Sequence, residues 1–267
     1  VVAGLTHPYA SLPVILSNGS AASCSPQTGE EMRLQADLLE AFWRSYNWRT
    51  DLSLTQKQEL LPEAFGIGLF QYGERDRRMT DVLAVLEHLA GETGEESAFF
   101  LSGLVDMERT GILGVRMGGS IAVDAAENIP AVRAAANVGG FNAKGITEKQ
   151  LEKPVLIVST GYFDLSNNHA GAGSMHQNAV FVTVRESLHW GFRHDPLYSP
   201  LSGSGPKYGT VPVKRMAAIT ALSLTAFFVS HLMEGEGRTA PPGIPSSALL
   251  LETLRDDYPE AALDILF

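Results

Sequence analysis

The 267-residue sequence contains a single cysteine, Cys24. One thiol excludes an internal disulfide and a cysteine-built zinc site, and it suits a reducing compartment. Basic clusters are scarce as well: Lys and Arg number 20 against 30 Asp and Glu, a formal net charge of −10. Nucleic-acid binding needs grouped Lys and Arg to displace counterions from phosphates. The one tight group, Arg75, Arg77 and Arg78, has Glu74 and Asp76 beside and inside it and reads as a solvated helix start. Nucleic acid is therefore excluded as a partner.

Other signals are missing too. No G-x-G-x-x-G or phosphate-loop pattern follows a predicted strand, so no nucleotide cofactor is expected, and no other cofactor either. The opening "VVAGLTHPYASLP" has no basic region leading into an apolar core, so a cytoplasmic location is expected. It also lacks an initiating Met, which leaves a processed, secreted form open. The most apolar stretch, Met216 to Met233, includes Thr220, Ser223, Thr225, Ser230 and His231, all costly in lipid. It is predicted to be a buried core helix rather than an integral membrane segment. His169 and His176 lie seven apart in a glycine-rich stretch, with His194 further on and no acidic partner at helix spacing. They read as solvated loop residues, and no metal is expected.

What is present is an ordinary globular composition, 45% hydrophobic, at a length that fits one large α/β domain over 1–267. "LPVILS" at 12–17 is predicted to be a buried parallel strand ending at Asn18-Gly19-Ser20. Helical spacing places Leu34, Leu38, Leu39 and Phe42 on one face over 30–46. The same spacing turns Met79, Val82, Leu83, Leu86 and Leu89 inward over 76–89. Apolar runs at 110–114, 132–138, 155–159 and 180–185 read as further parallel strands, with a helix over 120–128 between the first two. Alternating strands and helices imply βαβ units and a sheet covered on both faces. "TAPPGIP" at 239–245 is a loop leading to a terminal helix.

One motif carries chemistry. Gly114-Val115-Arg116-Met117-Gly118 has the spacing of a nucleophile elbow, G-x-S-x-G, on a strand-to-helix turn. The serine position holds an arginine. A guanidinium stays protonated at ordinary pH and has no lone pair with which to attack. Ser120 lies one helical turn beyond and is expected to face helix packing, so it does not substitute.

The sequence resembles α/β-hydrolases of the platelet-activating-factor acetylhydrolase type and their esterase relatives. The matching blocks, in order, are "LPVILSNGSAAS", "RDRRMTDVLAVLEHL", "VDMERTGILGVRMGGSIA", "KPVLIVSTGYFD" and "VRESLHWGFRHDPLYSPL". The stretch "KYGTVPVKRMAAITALSLTAFFVSHLM" and "DYPEAALD" resemble that family's last helix and terminus. The resemblance implies an α/β-hydrolase fold, a mostly parallel sheet with helices on both faces. It also implies an acyl-transfer site of serine, histidine and carboxylate. Carried over, the serine position is Arg116 and the histidine is His189. The acid position falls at Gly139 or Gly140, which have no carboxylate. Asp164, after the next strand, is the candidate relocated acid. The loop with Asn18, Gly19 and Ser20 would supply oxyanion-hole amides, and that role leaves Ser20 and nearby Cys24 as no nucleophile. Between 47 and 66 no counterpart of the family's apolar strand is found: either the sheet has lost or altered a strand there, or residues are absent.

An arginine at the floor of such a pocket favours an anionic or polarised oxygen. Arg116 would anchor that oxygen and His189 would move a proton, giving isomerase, cyclase or lyase chemistry on a lipophilic small molecule without a cofactor. Met117 and Trp190 would line the pocket, while Trp43 and Trp48 read as core. Two alternatives stay open: a catalytically dead binding protein, and an esterase with a rearranged site. A homodimer is an open assembly.

Overall fold

The computed structural model describes residues 14–15, 21–22, 69–91, 105–140, 152–161, 178–192, 197, 209–234 and 239–265. They fall in two compact units, Val1–Val105 and Asp106–Phe267.

In the first unit, strands β1 (Val14–Ile15) and β2 (Ala21–Ala22) pair antiparallel, Val14 with Ala22 and Ile15 with Ala21. The parallel strand expected over 12–17 is thus corrected to one arm of a hairpin. Only about five residues separate the two strands, too few for the crossover that a parallel pair requires. Helix α1 (Leu69–Gly91) is longer than the predicted 76–89. Val82 is its buried residue, Met79, Leu86 and Leu89 are partly buried, and Leu83 is 40% exposed. The inward stripe runs at spacings of three, four and three, which leaves Leu83 on its flank. The helix expected over 30–46 and the strand question at 47–66 lie outside the described residues.

The second unit is built on a five-stranded sheet of order β3-β4-β5-β6-β7. Its strands are β3 (Thr110–Val115), β4 (Val132–Val138), β5 (Val155–Thr160), β6 (Ala179–Val184) and β7 (Ala261–Ile265). The first four are parallel; β7 runs antiparallel beside β6, Val182 opposite Leu263. Continuous apolar runs such as "VLIVST" form these strands because parallel strands are buried on both faces, and every residue of β5 is buried.

Helix α2 (Met117–Asn128) follows β3, and helix α3 (Val213–Phe228) continues into a π turn at Val229–Met233. They cover opposite faces of the sheet. Asn137 of β4 points toward the first turn of α2, where Gly119 meets it. Its neighbours Ala136 and Val138 point the other way, into a core with Leu156, Val158, Val182, Val184, Met216, Ile219 and Phe227. Each large aliphatic or aromatic side chain in such a core contributes about 1.5–3 kcal/mol through removal from water.

The expected core helix is α3. Together with its π turn it makes one continuous helix, Val213–Met233, that is long and apolar enough to cross a bilayer by length and composition alone. Met216, Ile219, Ser223, Ala226 and Phe227 make its buried stripe. Its hydroxyls bond back one turn, Ser223 Oγ donating to the Ile219 carbonyl at 2.7 Å and Thr220 Oγ1 to that of Met216 at 2.9 Å. Helix α4 (Ser247–Asp257) starts at the N-cap Ser246, whose side chain accepts from the Leu249 amide, and it adds Leu254 to the same core. Strand β7 was not anticipated: "AALDI" lacks the β-branched run that marked the other strands.

Candidate functional site

The carboxyl ends of β3, β4, β5 and β6 lie side by side, the edge at which open α/β sheets bind ligands. Strand β3 delivers Arg116 there. Its backbone has φ 57° and ψ −123°, a region that L-residues other than glycine rarely adopt. This sharp reversal turns the chain straight into α2 and leaves the Arg116 residue exposed. It is the strained strand-to-helix turn expected of a nucleophile elbow.

The first glycine of the motif, Gly114, is required by closeness. A Cβ on Gly114 would lie 1.8 Å from the Gly118 carbonyl oxygen. Strand and helix therefore cross at backbone contact. The Arg116 amide donates to the Val138 carbonyl at 2.9 Å, and its carbonyl accepts from Gly119 at 2.9 Å and Ser120 at 3.4 Å. Beside Gly118 there is open space: a Cβ there would meet no atom within 4 Å.

The turn after β4 stands against the elbow. Gly139 has φ 61°, and a Cβ on Gly140 would lie 2.2 Å from the Arg116 carbonyl oxygen and 2.4 Å from Asn137 Oδ1. Position 140 thus has no room for a carboxylate side chain. Asn137, fully buried, closes this turn: Oδ1 accepts from the Gly140 amide at 2.8 Å and Nδ2 donates to the Gly140 carbonyl at 3.3 Å.

At the end of β6 comes the second strained residue, Glu186, with φ 57°. The Thr210 amide donates to its carbonyl at 2.9 Å and Thr210 Oγ1 to its carboxylate at 2.8 Å. Ser187, buried, donates from Oγ to the Val184 carbonyl at 2.6 Å and bridges to Gly209. This strap fixes the start of a one-turn 3-10 helix, His189–Phe192. The backbone of His189 therefore stands at the same sheet edge as Arg116, separated from it by β4 and β5. Strand spacing puts the ends of β3 and β6 roughly 14 Å apart.

Arg116 and the 3-10 turn carrying His189 and Trp190 are thus brought to one edge. The side chains of Met117, His189 and Trp190 lie outside the described residues, as do Asn18, Gly19, Ser20, Cys24, Trp43, Trp48, Asp164, His169, His176 and His194. Among the described residues no group of three His, Cys, Asp or Glu could hold a metal ion. Sequence reasoning missed Asn137, Glu186 and Thr210. The one available signal for Asn137 was an amide inside an otherwise apolar run, immediately before a glycine pair.

No family model matches the sequence, and no curated protein does. Among solved structures, a ferulic acid esterase from Streptomyces cinnamoneus superposes over 94% of this chain with a TM-score of 0.58 and 23% identity. The fold is α/β-hydrolase-like. This chain spans 62% of the length of that esterase.

Proposed function

We propose that this chain is a serine-less relative of the platelet-activating-factor acetylhydrolase-like hydrolases. It binds a lipophilic small molecule through an anionic or polarised oxygen held by Arg116, and His189 moves a proton on that molecule. The reaction class is isomerisation, cyclisation or elimination, without an acyl-enzyme. The observation that carries this reading is the Arg116 backbone. A strained turn costs of order 1–3 kcal/mol and persists where a side chain must be presented, and here the presented side chain is a cation beside the positive end of α2. The space beside Gly118 and the exposure of Arg116 agree with an accessible oxygen-binding position.

The crowding at Gly140 argues against acyl transfer, since one of the two positions at which the resemblance places the acid is closed to a side chain. It also favours a second reading, a binding protein without turnover, because a histidine with no orienting carboxylate loses much of its basicity control. A third, an esterase with a displaced nucleophile and Asp164 as acid, draws on the esterase neighbour alone.

A fluorophosphonate probe separates these readings. The expected result is no covalent labelling of the folded protein; labelling would sink the serine-less reading. Screening lipophilic carboxylates and enolisable ketones by thermal shift should then find ligands whose binding falls at least tenfold in Arg116→Ala. Turnover lost in His189→Ala with binding retained distinguishes the enzyme from the binding protein.

A further inference from the structure

We propose that Asn137 is the positioning residue that holds Arg116 in its strained backbone state. A residue with φ 57° and ψ −123° does not remain there by its own preference; the surroundings must over-determine it. Two of the contacts on the Arg116 peptide units come from the end of β4. The Val138 carbonyl takes the Arg116 amide, and Gly140 presses against the Arg116 carbonyl so closely that no Cβ fits between them.

The end of β4 is itself set by Asn137. The Asn137 side chain bonds both the amide and the carbonyl of Gly140, and Gly139 supplies the left-handed bend that lets the chain return to it. On its other side the same amide group abuts the first turn of α2, with Oδ1 2.0 Å from where a Gly119 Cβ would stand. One fully buried amide therefore joins the two backbone segments that enclose Arg116. Satisfying the buried Gly140 amide and carbonyl would alone explain an asparagine here, so the test must see coupling to residue 116.

This inference rests on reading the Arg116 turn as the site, but its test needs no ligand. If Asn137 holds the strain, loosening it lets Arg116 relax. The substitution Arg116→Gly, which removes the strain directly, should then raise the folding equilibrium constant about fivefold or more in the wild-type background. In an Asn137→Ala background the same substitution should change it less than twofold. An equal gain in both backgrounds overturns the proposal, because the strain would then be held by something other than Asn137.

Should Asn137→Ala fail to fold, amide exchange in Arg116→Gly alone decides the matter. Opening of the Asn137 latch would no longer release strain, so protection of the Gly140 amide against local opening should rise about fivefold or more. Unchanged protection there overturns the proposal. Failure of the ligand reading shows separately, as ligand binding indifferent to Arg116→Ala.

Discussion

Asn137 Oδ1 and the missing side chain of Gly119 compete for one volume: a Cβ on Gly119 would stand 2.0 Å from that oxygen and 3.1 Å from the Gly114 carbonyl. The helix start is glycine at 119 because strand β4 presents an amide there.

Gly119→Ala should therefore destabilise the fold by about 1–3 kcal/mol through overpacking. Its neighbour is the control. Gly118 has open space around it, so Gly118→Ala should be neutral or stabilising by up to about 1 kcal/mol from helix propensity alone. Urea unfolding of the two variants reads the difference. Equal costs would mean that the contact with Asn137 does not set the choice of glycine.

Arg116→Gly should stabilise the protein by about 1–3 kcal/mol while removing the cation proposed to hold the ligand oxygen. A stabilising substitution that abolishes ligand response would mark the strain as kept for function. If Arg116→Gly destabilises, the arginine is a structural element of the turn and the ligand reading loses its main support.

Restoring a serine should not restore hydrolysis. Arg116→Ser gives a hydroxyl at the turn, but Gly140, one of the positions that the resemblance gives the acid, cannot accept a carboxylate without displacing the Arg116 carbonyl region or Asn137. We expect no turnover of p-nitrophenyl acetate above background in Arg116→Ser, and a loss of folding stability in Arg116→Ser/Gly140→Asp. Esterase activity in the single variant would place a functional acid elsewhere, with Asp164 first to test.

Acid should loosen the join between α3 and β7. The Arg215 guanidinium hydrogen-bonds both carboxylate oxygens of Glu260 and lies 4.7 Å from the Tyr258 ring centre. That hydrogen bonding holds the Glu260 carboxyl below its ordinary value. A depressed carboxylate contributes its stability above the unfolded value, near pH 4.3, and loses it as pH falls through the folded value. The melting temperature should thus drop across that acidic window, and Glu260→Gln should flatten the drop slightly. An unchanged slope in Glu260→Gln would remove this pair from the pH response.

The parallel strands were legible in the sequence because burial on both faces writes itself as unbroken apolar runs, as in Val155 to Ser159. The strand-to-helix turn at 114–118 was legible because glycine at 114 answers a steric need that no other residue meets, whereas Gly118 has open space around it. Strand β7 was not, since its alanines owe their place to pairing with β6 rather than to local preference. Asn137 was equally hidden: nothing local says that an amide inside "VRAAANV" will bond a residue three positions on and brace a helix start. The antiparallel pairing of Val14–Ile15 with Ala21–Ala22 was not legible in the β-branched run, because such a run does not specify its partner strand.

Strand β7 also has a protective role. Without it, β6 would present an unpaired edge along "AVFVTV", a segment with no charge, no proline and high strand propensity. Such an edge recruits strands from other molecules. A chain ended before Ala261 would keep its elbow and most of its core yet expose this template, so its characteristic failure should be self-association rather than simple unfolding. The same exposure arises whenever β7 is the last strand to dock, which makes the Arg215–Glu260 join a guard against aggregation as much as a contribution to stability.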